Sequence, residues 1–72
     1  MSILRVTSTQ PGFVKSDFLY FVLERSALTQ RQARTVAEDL LAGYPVEFDI
    51  PDYNDSDFSR LNELRTEFEV LR

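Results

Sequence analysis

Oxygen-bearing side chains crowd the stretch from Asp49 to Glu63, and their spacing is the first feature of this chain that could do chemistry. Asp52, Asn54 and Ser56 alternate, and Glu63 stands in the twelfth position of a series begun at Asp52. Alternate oxygen ligands closed by a bidentate Glu are what a hard cation such as calcium takes. The sixth position of such a loop needs Gly for its sharp turn, and here it is Asp57. Pro45 and Pro51 also deny the loop an entering helix. The segment therefore reads as a solvated loop whose carboxylates cap a helix, and no metal site is expected.

Catalysis finds no constellation. Ser, Asp, Glu, Lys and Tyr are present, but the chain has no His and no Cys. The commonest general base and the thiolate ligands are absent together, and no nucleophile has an evident base and orienter. Glu67 and Glu69 are spaced to share the outer face of a strand, where water keeps them ordinary. Gly12 and Gly43 stand alone, so no glycine-rich loop exists to cradle a phosphate. The expectation is a chain that is not an enzyme and binds no cofactor.

The residues that suit recognition are different ones. Phe18-Leu19-Tyr20-Phe21-Val22-Leu23 is six apolar residues in succession, which at about 100° per residue surrounds most of a helix. One face, Phe18, Leu19 and Val22 with Leu23 at its border, suffices for a core. Tyr20 points about 200° away from Phe18, and Phe21 falls at the opposite margin of the core face. Phe13, Tyr44 or a third helix could wrap this surplus. Alternatively Tyr20, Phe21 and Leu23, edged by Lys15, Arg31 and Arg34, form a contact surface of the aromatic and Arg types enriched at protein interfaces.

Composition limits the partner. Twelve acidic residues against eight basic give a net charge of −4, whereas nucleic-acid binders carry a basic face that displaces counterions. An acidic domain can instead mimic a nucleic acid, which requires its carboxylates gathered on one face. In this sequence Arg60, Arg65 and Arg72 interleave with them. No run of about 18 apolar residues exists to span a membrane, and the start lacks the layout of a secretory signal. A cytoplasmic protein partner is the expectation.

These side chains need elements to position them, and 72 residues allow one domain. Ile3 to Ser8 is a branched, β-like run closed by the turn signal Gln10-Pro11-Gly12. A first helix is expected over 16–26, with Ser16 as N-cap and Asp17 in the first turn. Thr29 followed three residues on by Gln32 has the capping-box form. Ala33, Val36, Ala37, Leu40 and Leu41 then make the stripe of an amphipathic helix over 29–42. Gly43 and Pro45 end it. Val46, Phe48 and Ile50 alternate with Glu47 and Asp49 as a strand with one buried face. A third helix over 56–65, capped by Asp55 or Ser56, leads to a last strand over 67–71 with Phe68 and Val70 inward. The order β-α-α-β-α-β predicts an α+β two-layer sandwich, three strands under three helices, with the strand order left open.

From Leu23 onward the pattern resembles the C-terminal domain of the bacterial ribosomal stalk protein and the Clp-protease adaptor of the same fold. The resemblance is carried by Ala27-Leu28-Thr29-Gln30-Arg31-Gln32-Ala33-Arg34, by Leu40-Leu41-Ala42-Gly43-Tyr44-Pro45-Val46, by Leu61-Asn62-Glu63-Leu64 and by Glu67-Phe68-Glu69-Val70. It implies the same sandwich and a domain that works by binding proteins, with Arg31 and Arg34 matching the basic pair of the stalk domain's second helix. The chain departs from the stalk domain at Ser26-Ala27-Leu28-Thr29, where that domain has a glycine-rich loop. It departs from the adaptor at Thr9-Gln10-Pro11-Gly12, where that fold carries carboxylates. The expected function is a small non-catalytic protein-binding module of adaptor or regulatory type. The alternative is a structural domain that dimerises through helix one.

Overall fold

The alternation of Val46, Phe48 and Ile50 with Glu47 and Asp49 becomes a strand with every second residue buried. The structure, a computed structural model, describes residues 2–71; Met1 and Arg72 lie outside the described residues. Its elements are β1 (Ser2–Thr9), α1 (Lys15–Arg25), α2 (Gln30–Leu41), β2 (Val46–Ile50), α3 (Asp55–Glu63) and β3 (Thr66–Leu71). This is the α+β order the sequence predicts, and the strand order left open there is β2-β1-β3.

Both pairings of β1 are antiparallel, with Leu4 opposite Phe48 on one side and Val70 on the other. The outer strands β2 and β3 therefore run parallel to each other, and α3 joins them across β1 as a split β-α-β unit. A bulge at Thr7 lets the register shift between Val6 and Ser8. No helix among the described residues is long and apolar enough to cross a membrane.

Local signals explain the helix boundaries. Thr29 Oγ1 accepts from the Gln32 amide at 3.2 Å while Gln32 Oε1 accepts from the Thr29 amide at 3.0 Å, the expected capping box. At the other end the Tyr44 amide donates to Asp39 O and the Gly43 amide to Leu40 O, a Schellman closure. Gly43 adopts φ +96° there, a conformation that a Cβ penalises even with open space around it.

Two caps differ from expectation. The N-cap of α1 is Val14, whose side chain has no acceptor to cap with; Phe13 instead packs on Phe18, 5.6 Å between ring centroids, and staples the chain onto the helix. The N-cap of α3 is Asn54, which together with Asp57 forms a reciprocal box. Its side chain reaches the Ser56 amide at 2.8 Å, a fit that neither Asp55 nor Ser56 could make from inside the helix.

The core gathers Leu4 and Val6 from β1, all three inward residues of β2, Leu61 of α3, and one stripe from each long helix. In α2 the stripe is Ala33, Ala37 and Leu40; Leu41, expected within it, is 51% exposed because it lies about 80° beyond the stripe's centre. In α1 the stripe is Phe18, Phe21 and Val22, with Leu19 and Leu23 only partly buried.

Candidate interaction surface

α1 is the middle member of the helical layer. Lys15 Nζ reaches Glu38 of α2 at 3.6 Å, and Glu24 pairs with Arg60 of α3 at 2.9 Å. Such a position buries the helix toward the sheet and leaves only its outer arc open. Tyr20 crowns that arc at 72% exposed.

Two shallow grooves flank Tyr20. Toward α2, Ser16, Leu19, Tyr20, Leu23 and Gln30 enclose about 200 Å³. Toward α3, Asp17, Tyr20, Arg60, Glu63 and Leu64 enclose about 310 Å³. Gln30 is shared between the first groove and a hollow on α2 lined also by Arg31 and Arg34. Neither arginine holds an ion pair among the described residues, and both are exposed.

Of the residues singled out from sequence, Lys15, Tyr20, Leu23, Arg31 and Arg34 thus lie along one helical surface. Phe21 does not. It is fully buried, with the Arg60 guanidinium 5.0 Å from its ring centroid. Packing α3 beside α1 rotates the core stripe toward Phe21 and leaves Leu19, assigned to the core from periodicity, to line the groove. Phe13 and the third helix do wrap α1, whereas Tyr44 stays 65% exposed.

The acidic segment after β2 is consumed by structure. Arg25 closes a bidentate pair on Asp57, Nε to Oδ1 at 2.7 Å and Nη2 to Oδ2 at 3.0 Å. The same Nη2 reaches the carbonyls of Pro51 and Asp52, and Asp57 Oδ2 accepts the Asn54 amide at 3.1 Å. Burial pushes the Asp57 carboxyl up, but the hydrogen bonds from Arg25 and Asn54, with the charges of Arg25 and Arg60, more than offset it and hold it below the ordinary carboxylate range. The hydrogen bond with Asp57 raises the Arg25 guanidinium in turn. Asp57 is thus buried where a solvated carboxylate was expected. No group of three His, Cys, Asp or Glu among the described residues is placed to hold a metal ion.

Four of the twelve acidic residues gather on one surface. Glu47, Asp49, Glu67 and Glu69 all occupy outward positions on the open face of the sheet, with Arg5 between Glu47 (2.8 Å) and Glu69 (3.2 Å). Arg60 lies on α3 and Arg65 follows it, so neither interleaves there; Arg72 lies outside the described residues. No family model, curated protein or solved structure matches this chain.

Proposed function

We propose that the protein is a small non-catalytic binding module that engages another protein through the outer arc of α1 and the start of α2. One observation carries the reading: Tyr20 stands 72% exposed between two grooves, one of them floored by the partly buried Leu19 and Leu23. A large aromatic held on a rigid helix beside an apolar groove offers contact area at little cost in conformational entropy. Arg31 and Arg34, which hold no ion pair among the described residues, add cations beside that groove, a type of side chain enriched at interfaces. The resemblance to the stalk domain and the Clp adaptor supports the same reading through element order and the arginine pair.

The test pairs stability with capture. Tyr20→Ala and the double change Arg31→Ala with Arg34→Ala should hold the melting temperature within the range of an exposed substitution, about 0.5 kcal/mol. Each should weaken recovery of a native partner by roughly thirtyfold, as truncation of an interface anchor does. Phe18→Ala is the control for folding, costing about 3–5 kcal/mol by opening a cavity. Should Tyr20→Ala melt like Phe18→Ala, or recover every partner as the wild type does, the outer arc of α1 is not the binding face.

A further inference from the structure

The two edges of the sheet are finished differently. The inward residues of β2 are closed off, Val46 at 7%, Phe48 at 4% and Ile50 fully buried. On β3 the inward Phe68 and Val70 are only partly buried. Next to them Phe58 of α3 is 52% exposed and stacks edge-on against Phe68 at 5.5 Å between centroids. A groove of about 450 Å³ opens here, lined by Gln10, Phe58, Asn62, Thr66, Glu67 and Phe68. Among the described residues β3 pairs only with β1, so its other edge presents free backbone donors and acceptors.

We infer that the free edge of β3 and the adjoining Phe58–Phe68 groove dock an extended peptide segment that alternates apolar and basic side chains. A strand added beside β3 would sit about 4.8 Å away and keep the pleat. Its inward side chains then rest against Phe58 and Phe68 and complete the apolar layer that α3 leaves open. Its outward side chains stand next to Glu67 and Glu69, on a face that carries four carboxylates against the single guanidinium of Arg5. Lysine or arginine at those positions answers that charge.

A second copy of the chain answers it badly. Two-fold pairing of β3 with itself about Phe68 places Glu67 opposite Glu69 of the copy twice over, and like charges directly across a ladder are destabilising. In that register charge disfavours a copy, and the carboxylates of this face suit a foreign basic-apolar strand instead. This surface is separate from the outer arc of α1, and neither reading depends on the other.

The full chain, labelled with nitrogen-15, is titrated with an acetylated, amidated hexapeptide of alternating valine and lysine. Two controls have the same length: valine alternated with glutamate, and valine and lysine in two blocks. The alternating lysine peptide should shift the amides of β3, Phe58 and Asn62, and slow hydrogen exchange along the free edge of β3. Both controls should bind at least tenfold more weakly. Phe58→Ala and, separately, the pair Glu67→Gln with Glu69→Gln should each weaken binding about tenfold, and the Gln pair should flatten its salt dependence. Tyr20→Ala should leave it unchanged. Saturable shifts on β2 or α1 instead, equal binding of either control, or no saturation by millimolar peptide would each overturn the proposal. So would β3 shifts that follow protein dilution alone, since a second copy would then hold the edge.

Discussion

The Asp57 carboxylate, its side chain 2% exposed, stays charged in the interior because Arg25 and the Asn54 amide satisfy it. Its native pKa lies below the ordinary value, so the pair adds stability that is complete above the unfolded pKa of about 3.9 and disappears as pH falls through the native one. Asp57→Asn keeps the shape and an acceptor but removes the charge opposite Arg25. Breaking such a pair costs about 1–3 kcal/mol, toward the lower end because the Arg25 side chain is 29% exposed and partly rehydrated. Urea titrations at pH 7 should show this full gap between wild type and variant, and the gap should close as pH drops below 4. A gap that persists unchanged at pH 2 would mean that the carboxylate contributes shape alone. Sequence placed capping carboxylates in this segment, Asp57 among them, but not the burial of Asp57, because its partner Arg25 is 32 residues away in the chain. The exposure of Tyr20 was legible, since it lies opposite the core on any placement of α1. The burial of Phe21 was not, because it depends on which side α3 packs.

At the scale of the element, α2 was the most readable part of the chain: one capping box, one stripe and one glycine stop agree on the same helix. α1 was harder, with apolar residues on nearly every face and Ser16 standing where a cap is usual. Its start is fixed by the Phe13–Phe18 staple instead, a contact between apolar side chains that leaves no polar signature. The difference is measurable in equilibrium denaturation. Thr29→Ala, which removes a functioning cap, should cost about 1 kcal/mol. Ser16→Ala should be nearly neutral, within about 0.5 kcal/mol, since the hydroxyl caps nothing. Phe13→Ala should cost more than Thr29→Ala, because it removes both the staple and ring contact with Phe18. If Ser16→Ala proved the costlier of the two α1 changes, the entry into that helix would rest on a hydroxyl cap after all.

For the whole molecule, the decisive element is β1, which among the described residues is the one strand with a partner on each side. Three strands of similar pattern left its central place undetermined from sequence, yet one signal bears on it. Arg5 faces outward among the strand residues that include Glu47 and Glu69, and a central strand is where it can meet carboxylates from both sides, as it does with those two. Those two surface pairs set little energy by themselves. What β1 supplies is closure: Ile3 lies opposite Leu71 on one side and Asp49 on the other, so the strand joins the two ends of the chain and its middle. Its inward residues Leu4 and Val6 are fully buried between the inward residues of β2 and β3. A domain of this length has a stability of roughly 4–11 kcal/mol, and Leu4→Ala alone removes about 2–5 of it. Deleting residues 1–9 removes both ladders together and leaves β2 and β3 as unpaired single strands. Circular dichroism of that truncated chain should show the loss of all three helices along with the sheet, although every helical residue remains, because short helices in water need a packed face to persist. A truncated chain that keeps the helical signal and melts cooperatively would show that the helical layer folds without its sheet, and the central role of β1 would fall.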